Sequence, residues 1–325
     1  MSGEATAFWT IGPGRGELRR ESLPARGPDD VLVRALYSGI SRGSEALVFA
    51  GRVPKSQATT MRAPHQAGAL PWPVKYGYAS VGEVEAGPNG LAGRPVFCLH
   101  PHQDAYVVAA SDVVPLPDSL PPARAVLAAN METAITGLWD GAAGPGDRIA
   151  VIGAGTVGCL VATLAAEIPG SAVTLIDRQE EKRPIAEALG VDFALPENAP
   201  GELDLVFHSS GNPTGLVTAL SLAGFEARIV ELSWYGDGDV GLPLGADFHA
   251  KRLTLRSSQV SNLPPERRPR WDHRRRLALA LDLLADSRFD VLISGESAFA
   301  ELPEVMARLA TAPTGVLCHR IRYRE

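Results

Sequence analysis

The sequence predicts an α/β protein in which a doubly wound parallel sheet is inserted between two parts of a β-rich domain. Three observations lead there: short β-runs broken by Gly and Pro early on, regular alternation of helix and strand beyond them, and a mixed tail. The early runs are residues 31–37, 79–85, 95–99 and 106–108, whose spacing suits an irregular all-β domain rather than βαβ units. Pro115, Pro117, Pro121 and Pro122 mark the change of regime. Strands at 148–152, 172–176, 191–194, 203–207, 227–232 and 252–257 follow, with helices at 159–166, 180–189 and 214–222. The tail reads as strand 291–294, helix 302–309 and strand 315–321 and is assigned back to the first domain. The expected division is therefore 1–120 with 288–325 for the β-rich domain and 121–287 for the parallel sheet.

The most informative stretch is 147–177. An apolar strand runs into Gly153-Ala154-Gly155-Thr156-Val157-Gly158, a helix follows, and the next strand delivers Asp177. Gly153 permits a tight turn, Gly155 lets backbone amides approach a pyrophosphate, and Gly158 lets the helix pack on the strand. Phosphates then meet the helix N-terminus at Thr156 and Val157, where unpaired N–H groups and the dipole favour anions. Asp177 is placed to accept the adenosine ribose hydroxyls and to repel a 2′-phosphate, so NAD(H) is expected over NADP(H). Arg178 works the other way, since a neighbouring guanidinium can hold that phosphate. Ligands of doubly wound sheets sit at the carboxyl ends of the strands. This brings the loops 208–212 and 233–236 to the cofactor, with Ser209, Ser210 and Trp234 as contacts and His208 as a hydrogen-bonded neighbour.

Composition narrows the function classes. With 325 residues the chain can hold two domains, and 45% hydrophobic with 21% charged residues is ordinary for a globular protein. A net charge of −6 gives no electrostatic reason to expect nucleic acid or an anionic membrane as partner. The first ten residues lack the basic start and apolar core of a signal peptide, and no apolar run reaches bilayer length. Cys98, Cys159 and Cys318 are too few and too scattered for a disulfide framework and suit a reducing cytoplasm. One dense basic run, Arg267, Arg268, Arg270 and Arg274 to Arg276, reads as a solvated loop and helix start. An anion-binding rim or a subunit contact is its other reading.

Ser38-Gly39-Ile40-Ser41-Arg42-Gly43-Ser44-Glu45, Gly77-Tyr78-Ala79-Ser80-Val81-Gly82-Glu83-Val84 and Pro145-Gly146-Asp147 before the glycine turn resemble the medium-chain dehydrogenase/reductase (alcohol-dehydrogenase-like) superfamily. The resemblance runs nearly end to end. It implies a GroES-like β-rich catalytic domain, a Rossmann domain, a small-molecule substrate and a homodimer in which residues 253–257 extend the sheet across subunits. With Ala129-Asn130-Met131-Glu132-Thr133, the chain is most similar to the subgroup that contains bacteriochlorophyllide dehydrogenase.

Departures from the pattern matter as much. Zinc-dependent members carry a cysteine where this chain has Ser41, and their Gly-His-Glu becomes Gly77-Tyr78-Ala79. The closely spaced cysteines of their structural zinc are missing. A serine hydroxyl, a phenol and an alanine are poor zinc ligands, so neither a catalytic nor a structural zinc is expected. His100 and His102 with Asp104 lack a third strong ligand at fixed spacing and are read as pocket or loop histidines.

Carbonyl reduction builds negative charge on oxygen, which a positioned donor must stabilise where no metal does so. Tyr78 is the first candidate, Ser41 the second, and Glu132 is a base or ribose-orienting group. Tyr78 as a plug filling the vacated metal cavity is the competing reading. Three functions stay open: a zinc-independent NAD(H)-dependent alcohol/ketone oxidoreductase, an enoyl or quinone reductase acting on a conjugated C=C bond, and a catalytically silent nucleotide-binding sensor.

Overall fold

A computed structural model describes residues 3–88, 90–311 and 315–324. The chain divides into two compact units, Met1–Ala129 with Leu277–Glu325, and Asn130–Arg276.

The first unit is β-rich. Its larger sheet runs Ile293–Ala298, Cys318–Arg322, Asp30–Ile40, Ser80–Ala86, Pro95–Cys98 and Val113–Pro115, with Ala105–Ala109 also pairing to Asp30–Ile40. All of its neighbouring pairs are antiparallel except Ile293–Ala298 with Cys318–Arg322. Alternating residues of these strands, among them Val31, Val33, Val84, Val96 and Tyr106, form one buried cluster, as the period-2 pattern requires. A smaller sheet pairs Glu4–Gly12 with Arg15–Ser22 and the two-residue strands Val74–Lys75 and Ala67–Gly68. The proline cluster at 115–122 does not itself end this unit. Arg124 lies beyond it and grips both carboxylate oxygens of Asp290, at 2.7 and 2.8 Å, so the first unit continues through the short helix Pro122–Ala125.

The second unit is a six-stranded, wholly parallel sheet in the order Asp192–Ala194, Ala172–Ile176, Arg148–Ile152, Leu203–His208, Ala223–Glu231, Thr254–Ser257. Numbered within this sheet from the first strand in sequence, the order is 3-2-1-4-5-6. It is the doubly wound arrangement predicted from the sequence, and its direction of winding reverses beside Arg148–Ile152, where such sheets bind dinucleotides. Helix Pro213–Leu222 buries Leu216, Ala219 and Leu220 against Val206 and Ile229 of the sheet. Asn212 caps that helix, its Oδ1 accepting the Thr214 N–H at 3.0 Å. Among the described residues no helix is long and apolar enough to cross a membrane.

Candidate functional site

The glycine turn joins strand Arg148–Ile152 to helix Thr156–Ala166. Its three glycines do different work. Gly153 has φ of +108°, and a Cβ there would come within 2.7 Å of the Ser210 backbone. A Cβ on Gly158 would lie 1.9 Å from the Gly153 carbonyl oxygen, so only glycine lets the helix seat on the turn. Gly155 is different: a Cβ there would meet nothing within 4 Å. The fold does not need that glycine for its own packing, which leaves open space beside the turn. No side chain caps the helix, and its first internal bond runs from Cys159 N–H to the Gly155 carbonyl at 2.9 Å. The amides of Thr156, Val157 and Gly158 in the first turn thus have no intrahelical acceptor. That is the condition for anion binding at a helix start.

Asp177 follows the neighbouring strand Ala172–Ile176. Its Oδ2 accepts the Ala154 N–H at 2.7 Å and its Oδ1 the Gln179 N–H at 3.0 Å, so the carboxylate braces the glycine turn from the side. Each oxygen keeps a second lone pair for a ribose hydroxyl. Arg178 is exposed beside it. Ser209 is tied to the turn as well, its N–H donating to the Ile152 carbonyl at 2.9 Å and its hydroxyl to that of Gly153 at 3.2 Å. Ser210 is exposed and its Oγ lies 2.7 Å from His208 Nε2. His208 is fully buried at the end of its strand, with Nδ1 on Glu231 Oε2 at 2.8 Å. Tyr235 donates to the same Glu231 oxygen at 3.0 Å, and burial, aided by that carboxylate, pushes its phenol pKa up. Trp234 is partly buried on the intervening turn. The sequence signals Ser209 and Ser210 by their place after a strand. Tyr235 is signalled in the same way by its place in the loop 233–236, whereas Glu231, which holds His208, carries no local signal.

In the first unit, helix Arg42–Phe49 and the segment before strand Ser80–Ala86 bring together the two candidate donors. Tyr78 OH donates to Ser41 Oγ at 2.7 Å. Burial and the Glu45 carboxylate push the Tyr78 pKa up to about 12, against hydrogen bonds from Ser41 and Ser44 that lower it. The phenol is therefore neutral and holds its proton at physiological pH. Beyond Ser41 the network continues inward. The Ser41 N–H donates to Glu45 Oε1 at 2.8 Å, Glu45 Oε2 lies 2.8 Å from His102 Nε2, and His102 Nδ1 lies 2.7 Å from Ser38 Oγ. Glu45 and His102 are 3% and 1% exposed, so the pair is shielded from water. Lys75 is engaged elsewhere, donating to Glu21 at 2.6 Å and Gln103 at 2.8 Å.

The expectation of Glu132 as a base does not match its surroundings. Glu132 is buried in the second unit and ion-paired with Arg276 Nε at 3.0 Å. Burial raises its pKa and Arg276 opposes that rise. Arg276 also donates to Thr136 Oγ1 and the Val260 carbonyl, at 3.0 and 2.7 Å. The carboxylate neutralises a buried guanidinium, which leaves it poorly placed to accept a substrate proton. The basic run is likewise not uniformly solvated, because its last member is this buried Arg276.

The residues at the zinc positions do not fit zinc. Ser41 and Tyr78 offer two neutral hydroxyls hydrogen-bonded to each other, and Zn²⁺ takes thiolate, imidazole or carboxylate. Among the described residues no three His, Cys, Asp or Glu side chains gather into a metal-holding group. His100 is stacked on Tyr106 at 3.8 Å and its pKa falls to about 3, chiefly through burial. Cys98, Cys159 and Cys318 are buried, with burial raising each thiol pKa, to about 12 for Cys159 and Cys318.

Comparison with known proteins supports this architecture. L-idonate 5-dehydrogenase from Escherichia coli superposes with a TM-score of 0.82 at 16% identity, covering 99% of each chain. A protein from Sinorhizobium meliloti, provisionally assigned as a zinc-binding dehydrogenase and bound to NADP, superposes at 0.79 with 20% identity over 99% of this chain and 100% of that one. The fold is that of the alcohol-dehydrogenase-like medium-chain dehydrogenases. Within this fold, the parallel-sheet unit is the Rossmann domain and the β-rich unit the GroES-like one. In sequence the chain is 26% identical over 216 residues to an uncharacterized zinc-type alcohol dehydrogenase-like protein of Haemophilus influenzae. That match spans 62% of this chain and 59% of the relative. No family model matches the chain.

Proposed function

We propose that the protein is a zinc-independent, NAD(H)-dependent oxidoreductase that interconverts a secondary alcohol and a ketone on a small organic substrate. The observation that carries the reading is the glycine turn itself: Gly153 and Gly158 are required by the fold, whereas Gly155 is open, beside uncapped amides. The chemistry a nicotinamide dinucleotide would supply when held there is acceptance or donation of a hydride. Thr156, Val157 and Gly158 hold its phosphates through backbone N–H groups, and Asp177 takes the ribose hydroxyls and disfavours a 2′-phosphate. The S. meliloti protein binds NADP, and Arg178 is the residue of this chain that would soften the preference.

Tyr78 acts as the donor to the carbonyl oxygen. Its proton is retained at neutral pH, and Ser41 fixes the phenol from the other side. As charge grows on the oxygen, the Tyr78 hydrogen bond strengthens, which is the interaction that lowers a barrier. Glu45 and His102 position Ser41. Exchange of secondary alcohol for ketone also follows the likeness to the bacteriochlorophyllide-dehydrogenase-like subgroup. A cytoplasmic homodimer is part of the same proposal, with Thr254–Ser257 as the strand at the subunit boundary; a monomer mass by sedimentation at micromolar protein refutes the dimer.

The test is incubation of the purified protein with NADH deuterated at the transferable position and a pooled set of ketones and enones, followed by mass spectrometry. Deuterium on a carbinol carbon is expected. Deuterium on a saturated carbon replaces this reading with reduction of a conjugated C=C bond, and no transfer despite saturating NADH replaces it with a binding role.

A further inference from the structure

The basic run leaves one feature that cofactor and hydride chemistry do not use. In the Rossmann unit a cavity of about 370 Å³ is lined by Trp139, Arg228, Arg256, Glu266, Arg267 and Arg270. Arg256 and Arg228 come from the two strands at one side of the sheet, and Arg267 and Arg270 from the loop before helix His273–Leu283. The glycine turn hangs from a strand two and three places away, or ~10–14 Å at the usual spacing between strands. The cavity is thus a separate site within the same unit.

Its charge is not internally balanced. Arg256 is neutralised by Asp140 at 2.6 Å. Arg228 donates to the Gly141 carbonyl at 2.6 Å, which fixes its position without cancelling its charge. Arg228, Arg267 and Arg270 then face the single carboxylate Glu266, an excess of two positive charges around one void. Of the two loop arginines, Arg267 is also held in place. The Arg267 guanidinium lies 5.1 Å over the Trp139 ring, Trp139 packs on Trp271 at 4.9 Å, and Arg275 covers Trp271 at 4.0 Å. This stack of two adjacent indoles flanked by cations pins that part of the loop, so the Arg267 guanidinium is preorganised.

We propose that this cavity binds a phosphate monoester dianion whose planar organic group packs beside the Trp139 indole. Three features select that ligand. Guanidinium forks bind phosphate oxygens in pairs, so two or three arginines match one phosphate. A dianion balances the excess charge, whereas a carboxylate leaves half of it. The indole wall and the volume suit an attached ring better than a bare ion.

Phenyl phosphate is the probe, titrated against the full-length protein and followed by ³¹P line broadening. Saturable binding is expected, weakened roughly tenfold or more in the double variant Arg267→Gln/Arg270→Gln, which loses two charged donors. The double variant Arg267→Lys/Arg270→Lys is expected to bind between the two, showing that the loss tracks charge and fork geometry rather than unfolding. Unchanged affinity in the glutamine variant places the phosphate at the glycine turn instead and overturns the proposal. Equal affinity for benzoate overturns the dianion assignment, and absence of saturable binding at millimolar phenyl phosphate overturns the site.

Discussion

Replacing Tyr78 by Phe removes one hydroxyl and nothing else, which makes it the sharpest perturbation of the proposed chemistry. The hydroxyl donates to Ser41 Oγ at 2.7 Å, so its loss costs the fold one hydrogen bond, about 0.5–1.5 kcal/mol. Its loss from the reaction is larger. A positioned proton or hydrogen-bond donor contributes about 10²- to 10⁴-fold, and turnover should fall by that order while NADH affinity stays within about twofold. The sign of the pH dependence follows from the direction of the shift. The folded pKa of Tyr78, about 12, lies above its ordinary value, so stability linked to the proton is complete below the ordinary value and disappears as pH rises through about 12. The wild-type rate of ketone reduction should accordingly show no inflection from Tyr78 between about pH 6 and 9. Single-turnover hydride transfer, monitored by loss of NADH absorbance with a ketone identified by deuterium transfer, separates chemistry from binding. Full turnover in Tyr78→Phe, with only the small stability loss, refutes the donor role and leaves the phenol as packing.

The two glycines give opposite outcomes from similar substitutions. Gly158→Ala forces a Cβ to within 1.9 Å of the Gly153 carbonyl, so the Rossmann unit should lose thermal stability outright. Gly155→Ala adds a Cβ that meets nothing within 4 Å and should leave the melting temperature near wild type while weakening NADH fluorescence enhancement; unchanged NADH binding would show the phosphates lie elsewhere. Asp177→Ala strands the Ala154 and Gln179 amides and should both lower stability, by about 1–3 kcal/mol for each amide left unsatisfied, and narrow the NADH-over-NADPH affinity ratio. An unchanged ratio in competitive titration removes Asp177 from the ribose site. Arg276→Met leaves the Glu132 carboxylate buried and unpaired and should cost about 3–5 kcal/mol in urea unfolding near neutral pH. The folded pKa of Glu132 is already raised by burial and would rise further without Arg276, so the deficit should shrink as acidification protonates the carboxylate. A deficit independent of pH would mean Arg276 acts through packing alone.

The sequence exposed whatever is held by neighbours in the chain. Strands 148–152 and 172–176 were legible to the residue because short, mainly apolar runs end at Gly153 and Asp177, and the glycine spacing is written directly into residue type. The hairpin Glu4–Gly12 with Arg15–Ser22 was missed because its second strand, Arg-Gly-Glu-Leu-Arg-Arg-Glu-Ser, has no buried face: every residue is exposed or half-exposed. Such a strand shows no apolar alternation to read. Helix Arg42–Phe49 was equally hidden, being two turns long with no side-chain cap at Ser41.

The same division runs through the candidate site. Tyr78 and Ser41 were found because each stands where a family pattern predicts another residue, but the group that sets the charge around them is Glu45, and its partner His102 is far away in sequence. A buried carboxylate must find a counter-group, yet nothing in the sequence states which histidine answers it. Glu132 shows the converse. Its residue type and position suggested chemistry, and only the arrival of Arg276, the last member of a run that reads as solvated, shows that its charge is already spoken for. Local steric constraint makes the turn itself legible, because Gly158 is dictated by the Gly153 carbonyl five residues away, whereas the Ser210 backbone that presses on Gly153 arrives through the fold. Assigning an acid or base needs the partner, and partners are chosen by the tertiary fold.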